Sequence, residues 1–224
     1  MAEGTKWGKV AVWTGCLLPA AWLAADAATG RLGANPIEEV LHRTGWWALT
    51  LLLLSLSITP LRRLTGWNRL IRYRRLLGLF AFAWASAHFL GYVILDQWFA
   101  WPYIAEDIAE RPFILVGFAA WLLLLPLAVT STTGWIRRLG KRWQILHRVV
   151  YVAAGLGALH FFWKVKADTR EPLIFIGILA VLLLLRLPVV ARRASALRAG
   201  RGIGNGGGRQ GARRREERIP APGP

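Results

Sequence analysis

The sequence contains a single cysteine, Cys16, among its 224 residues. One thiol cannot build a disulfide framework or a thiolate metal site, so both kinds of structure are excluded. Acidic residues are also scarce, with 12 Asp and Glu against 29 Lys and Arg, and almost none of them lies inside an apolar run. A relay of intramembrane carboxylates, which many transporters and proton pumps use, therefore has few residues to work with.

Long hydrophobic runs are what the sequence has in abundance. The chain is 55% hydrophobic with a mean hydropathy of +0.38, which is too apolar for a soluble domain of this size. Polar and apolar residues do not alternate as they do in transmembrane strands. We predict an all-α, polytopic membrane bundle of six transmembrane helices, each about long enough to cross a hydrocarbon core of roughly 30 Å. The six segments run from Val10 to Ala28, Gly45 to Leu61, Leu76 to Leu95, Phe113 to Thr130, Val149 to Trp163 and Leu173 to Val190.

Charge alternates between the connecting segments. The loop between the second and third segments is strongly basic, the next loop is acidic, and the one before the fifth segment is basic again. Because basic residues collect on the cytoplasmic side, this pattern predicts a multi-pass membrane protein with both termini in the cytoplasm. The net charge of +17 then reflects membrane topology and contact with the lipid bilayer, and we expect no nucleic-acid partner.

The two ends of the chain allow other interpretations. Lys6 and Lys9 followed by an apolar stretch resemble a cleavable signal peptide, whose removal would leave five helices, but the charge alternation favours a retained segment. We predict a transmembrane domain over residues 1–191 and a disordered basic tail over residues 192–224. That tail is either simply solvated or rests on anionic head groups.

Histidines interrupt two of the apolar runs. His88 lies 13 residues beyond Arg75, and His160 lies 12 residues beyond Arg148, so both rings are expected about 18–19 Å from the inner face. A titratable ring in hydrocarbon is costly and indicates a functional site, and imidazole is a common ligand of haem iron. Small residues precede both histidines, which would allow either a flat macrocycle or close helix packing. The pair predicts a haem site.

The other two histidines are less informative. His147 lies 13 residues before His160, which places the two rings about 140° apart around an ideal helix. A distortion near Gly155 and Gly157 would be needed to bring them to one face, so His147 is either a ligand or an interfacial residue. His42 is expected to be solvated or interfacial.

In these stretches the chain resembles the ferric-reductase-like transmembrane family. The resemblance covers residues 7–190. It rests on Asn35–Glu38, Thr44–Leu49, Arg74–Leu79 with His88, Asp96 and Gln97, Glu110–Phe113, Pro126–Ser131, Leu139–Gly140 with Trp143 and His147, Tyr151, and His160–Phe161. It implies b-type haem, with iron bound by His88, His147 and His160, and an FMN whose residues are not assigned.

The resemblance also implies partners. The chain would be an electron-transfer subunit without a substrate-turnover site of its own. It would take electrons from the quinone pool or a cytosolic flavin reductase and pass them to MsrP, a periplasmic molybdopterin methionine sulfoxide reductase that repairs oxidised proteins. The outer loop Trp98–Arg111 is then the candidate docking surface, although an aromatic belt explains it equally well.

One position departs from the family. Relatives with two stacked haems carry a second histidine about fourteen residues before the one that corresponds to His88, where this chain has Arg74. Arg74 and Arg75 are candidates to bind haem propionates or a flavin phosphate, or they only anchor topology. One alternative function is a haem-free transporter, but many transporters are built from internal repeats and we find none in this sequence. The other alternative is a haem-free scaffold subunit.

Overall fold

The computed structural model describes residues 3–187, with side chains from Lys6 onward, and within this range it contains helices and no strand. The predicted all-α membrane bundle is confirmed. The helices are α1 (Glu3–Ala28), α2 (Pro36–Thr65), α3 (Ile71–Gly91), α4 (Trp101–Glu110), α5 (Pro112–Val129), α6 (Thr133–Leu139), α7 (Lys141–Leu146), α8 (Val150–Lys164) and α9 (Arg170–Leu184). Shorter turns are 3-10 helices at Asn68–Leu70 and His147–Val149 and a π-helix at Tyr92–Asp96.

Five stretches of the described chain are long and apolar enough to cross a membrane, which makes this a multi-pass membrane protein. They are Lys6–Ala28, Pro36–Thr65, Asn68–Asp96, Pro112–Val129 and Lys141–Lys164. The sixth predicted segment is helical over the 15 residues of α9, and its last residues, 188–190, lie outside the described range, as does the predicted tail. Six crossings and cytoplasmic termini therefore stay predictions.

The second segment starts earlier than hydropathy predicts. We expected it to begin at Gly45, but α2 begins at Pro36, where the Asn35 side chain accepts a hydrogen bond of 3.3 Å from the Glu38 amide. The charged first turns remain helical because their charges are paired. Arg43 contacts both Glu39 and Asp26 at 2.6 Å. Hydropathy does not register such pairing.

Two helix pairs form the centre of the bundle. Helix α2 packs along α3, and α5 packs along α8, while α3 also contacts α5 and α2 contacts α8. Their shared core is apolar and includes Leu56 of α2, Ala81 of α3 and Ala153 of α8, all nearly inaccessible to solvent. Helix α9 covers α8 and α2. Helix α1 joins through the Trp84 indole, which donates to the Cys16 carbonyl at 3.1 Å.

Candidate cofactor site between the two helix pairs

The bundle brings His88 and His160 together at its centre. Their ring centroids are 6.0 Å apart and the ring planes are inclined by 74°. Both rings line a cavity of about 500 Å³ enclosed mainly by α2, α3, α5 and α8, a volume typical of cofactor pockets. Close packing of α3 and α8 against the other two helices therefore turns two distant positions in the sequence into one site.

Each of these imidazoles is held by a backbone carbonyl. His88 Nδ1 donates to the Leu41 carbonyl at 2.8 Å, and His160 Nδ1 donates to the Phe113 carbonyl at 2.6 Å. A carbonyl oxygen can only accept, so in each neutral ring the proton is on Nδ1 and Nε2 keeps its lone pair. Metal-binding histidines are commonly oriented in this way, with the distal nitrogen left for the metal.

Glycines make room for both rings. A Cβ atom on Gly45 would lie 3.1 Å from His88 Nδ1, and one on Gly117 would lie 2.6 Å from His160 Nδ1. Each glycine is four residues beyond the carbonyl that holds the ring, and so it lies on the same helix face one turn away. Any side chain there would push the imidazole out of its hydrogen bond.

The residues fit an iron porphyrin. The ring centroids are 6.0 Å apart, which is the separation expected of two imidazoles whose Nε2 atoms would each bind the same metal at about 2 Å. Among the described residues no group of three or more His, Cys, Asp or Glu could hold a metal. A bare ion would therefore lack ligands here, whereas a metal held in a planar macrocycle would need only these two histidines from the protein. Flat and small side chains next to the histidines, Ala85, Phe89, Gly157 and Phe161, suit such a group.

His147 lies outside this cavity. Its ring stacks on Trp143 with centroids 3.9 Å apart, and its Nε2 is 3.2 Å from the Thr130 hydroxyl. The Thr130 hydroxyl donates to the Pro126 carbonyl at 2.6 Å, so it accepts from Nε2 and the free lone pair of this ring is on Nδ1. A helix distortion at Gly155 and Gly157 would have allowed His147 and His160 to share a face, but α8 is a regular helix there and the irregular turn is the 3-10 helix at His147–Val149.

The remaining predicted residues also lie away from the two central rings. Arg74 contacts the Thr59 hydroxyl at 3.5 Å, and its carbonyl accepts from Ser55 at 2.9 Å. Neither Arg74 nor Arg75 lines the cavity. His42 does line it, near its polar end, and lies 3.9 Å from the Glu171 carboxylate. The structure thus separates the pair His88 and His160 from the other predicted residues, His147, Arg74 and Arg75, which do not line the cavity.

The two halves of the site share an offset of 72 residues. Adding 72 to the number of a site residue in α2 or α3 gives its counterpart in α5 or α8. Identical residues fall at Gly45 and Gly117, Ala48 and Ala120, Leu52 and Leu124, Ala81 and Ala153, His88 and His160, and Phe89 and Phe161. Leu41 and Phe113, whose carbonyls accept from the two histidines, obey the same offset.

Sequence reasoning missed Gly45, Gly117 and the two carbonyls, and this offset is the signal that would have found them. By the same offset, the counterpart of His147 is Arg75. A guanidinium therefore stands in the first half where the second half has an imidazole.

A helical membrane bundle with a central cavity and an imidazole from each of two helix pairs defines a class of intramembrane cofactor proteins. The profile of the ferric reductase like transmembrane component matches residues 44–158. The haem-binding subunit MsrQ of the protein-methionine-sulfoxide reductase of Rhodospirillum rubrum is 55% identical over 197 residues, covering 87% of this chain and 95% of the relative. The same subunit of Xanthomonas campestris is 51% identical over 196 residues, covering 84% and 90%. No solved structure matches.

The chain therefore belongs to the ferric-reductase-like transmembrane family, in the branch formed by the MsrQ subunits.

Proposed function

We propose that this protein carries electrons through the membrane by way of b-type haem, and that His88 and His160 would together hold one haem. The observation that carries the proposal is the pair of imidazoles 6.0 Å apart, each with Nδ1 bound to a carbonyl. The relatives named as haem-binding subunits support it. The iron supplies one-electron redox chemistry when the haem is bound.

The protein's own residues orient and insulate this centre. The carbonyls of Leu41 and Phe113 fix the tautomer and the direction of both rings, and hydrogen bonding at Nδ1 raises the basicity of Nε2 as a ligand. Apolar side chains such as Leu49, Leu52 and Leu124 line the inner part of the cavity and exclude water from it. Such a wall lowers the local dielectric, which is one way a protein sets a redox potential.

His147 enters the proposal as a ligand at the inner end, separate from the central pair. Its resemblance to the family histidine supports this role, and its position outside the cavity means that it would serve a different group from His88 and His160. Arg74 and Arg75 are proposed to contact an anionic group there, either a propionate or the phosphate of FMN. FMN itself is proposed from the resemblance alone.

The proposed partners also come from the family. The named relatives are subunits of protein-methionine-sulfoxide reductases, so we propose that the acceptor is the periplasmic molybdopterin enzyme MsrP. The proposed donor is the quinone pool or a cytosolic flavin reductase, and the proposed location is the bacterial inner membrane. The chain is then an electron-transfer subunit that turns over no substrate itself.

Electron transfer across a bilayer tests this function directly. The haem-loaded protein is placed in liposomes that contain trapped ferricyanide, and dithionite is added outside. We expect ferricyanide to be bleached faster than in liposomes carrying His160→Ala, because that variant lacks one axial ligand. Equal rates in the two preparations and in empty liposomes would defeat the proposal.

A further inference from the structure

The cavity between the two histidines is polar at one end only. Its outer end, beyond His88 and His160 along α3 and α8, includes Lys164, Arg111, Glu38 and Asp96. The rest of its lining, toward the middle of the bundle, consists of aliphatic, aromatic and small residues without a cation. An anionic part of a bound molecule would therefore be destabilised at the apolar end, and only at the outer end could it meet a cation, Lys164 or Arg111.

Lys164 is placed to meet such a group. It follows His160 by four residues on α8, which puts it on the same helix face about 6 Å further out. Its ammonium now contacts the Glu38 carboxylate at 3.0 Å, and both side chains are substantially exposed. The pair lies across the mouth of the cavity, so a second carboxylate entering there would compete with Glu38 for Lys164.

Arg111 forms the second half of this arrangement. It precedes α5 by one residue and lies two residues before Phe113, the carbonyl that holds His160. Its guanidinium contacts the Asp107 carboxylate at 3.0 Å and is still 58% exposed, so its other donors remain accessible. His42 lines the same end but already faces Glu171 at 3.9 Å.

We infer that Lys164 and Arg111 bind the two propionate carboxylates of the haem, so that the charged edge of the macrocycle faces outward and its vinyl and methyl edge faces the apolar interior. This inference rests on the proposed function. It also means that Arg74 and Arg75 do not bind the propionates of this haem, because neither residue lines this cavity. An outward edge brings the porphyrin toward the side on which an outer acceptor would dock.

The test compares haem with its dimethyl ester, in which both propionates are uncharged. Release of each porphyrin to excess apomyoglobin is measured for the wild type, for Lys164→Gln and Arg111→Gln, and for Lys166→Gln. Lys166 is a matched control because it lies two residues beyond Lys164 and does not line the cavity. Glu38→Gln is added as a variant that should act in the opposite direction.

The wild type is expected to release haem about tenfold more slowly than the dimethyl ester, as fits charge-assisted hydrogen bonds to the carboxylates. Lys164→Gln and Arg111→Gln should each reduce this preference, which is the ratio of the release rate of the dimethyl ester to that of haem. Lys166→Gln should leave the ratio unchanged, and Glu38→Gln should increase it. Equal release of the two porphyrins from the wild type would overturn the inference, as would an unchanged preference in both cavity variants. If the wild type bound neither porphyrin, the proposed function itself would fail.

Discussion

At the residue scale, the site depends on four backbone features that carry no side-chain chemistry. Leu41 and Phe113 contribute carbonyls, and Gly45 and Gly117 contribute empty space. Removing a ligand's hydrogen-bond partner typically costs 10- to 100-fold in metal affinity. The glycines should therefore be as sensitive to substitution as residues that contact the iron.

Replacement of Gly117 by alanine tests this dependence. The new Cβ would lie 2.6 Å from His160 Nδ1, so the ring must move away from the Phe113 carbonyl. We expect haem affinity to fall by roughly 10- to 100-fold. Gly45→Ala, with its closest approach at 3.1 Å, should have a smaller effect of the same sign.

Gly155→Ala is the matched control for this pair. It lies on α8 with His160, and an added Cβ meets nothing within 4 Å. Haem titration should show unchanged affinity, since alanine is a better helix former than glycine and displaces no neighbour. If Gly117→Ala and Gly155→Ala bound haem equally well, the account of how His160 is positioned would be wrong.

The two central histidines were easier to predict from the sequence than the carbonyls and glycines that position them. His88 and His160 stood out because an imidazole interrupts an apolar run, and equal depth on two outward-running helices suggested a pair. Lys164 and Arg111 did not stand out, because charges at helix ends are ordinary topology signals. Only the fold shows that they share a cavity with the histidines.

At the element scale, α4 closes the end of the bundle at which α3 ends and α5 begins. Asp107 is buried and accepts from the Tyr92 hydroxyl at 2.9 Å and from the Gln97 amide at 3.3 Å, and it pairs with Arg111 at 3.0 Å. Tyr92 begins a π-helical turn, an irregularity that is frequent near functional sites. One carboxylate thus connects α4, the end of the third span and the start of α5.

The turn before α4 also departs from regular geometry. Trp98 and Phe99 have φ values of 48° and 60°, a region that is unfavourable for aromatic residues. Both are exposed, together with Trp101 and Tyr103. Such a cluster suits the boundary between hydrocarbon and water, and it covers part of the loop that we predicted as a docking surface.

Asp107→Ala should loosen α4 without unfolding the bundle. Tyr92, Gln97 and Arg111 would lose a charged partner worth about 1.5–3 kcal/mol per hydrogen bond, so local opening becomes easier. We expect amide hydrogen exchange in α4 to accelerate by tenfold or more, measured by mass spectrometry. Glu106→Ala, at the exposed neighbouring position, should leave the exchange rates of α4 as they are in the wild type.

Element boundaries were harder to predict than element existence. Hydropathy located the five long spans, but it placed the start of α2 at Gly45 because Glu39 and Arg43 look polar in isolation. Their ion pairs with each other and with Asp26 keep these turns helical. The π-helix and the 3-10 turn at His147–Val149 arise from packing between helices, which a window over the sequence does not describe.

At the scale of the whole molecule, the two halves of the site match each other at an offset of 72 residues. Each half contributes two helices, a carbonyl, a glycine and an imidazole, and the cavity lies where the halves meet. Tyr92 and its counterpart Lys164 differ, which places a cation on one side of the cavity mouth.

The central claim is that His88 and His160 hold one and the same haem, and the haem-to-protein ratio tests it most directly. The pyridine haemochrome assay is applied to the purified wild type, His88→Ala, His160→Ala and the double variant. We predict that both single variants lose the same amount of haem and that the double variant loses no more than either. Losses that add up in the double variant, or a full haem complement in either single variant, would contradict the account.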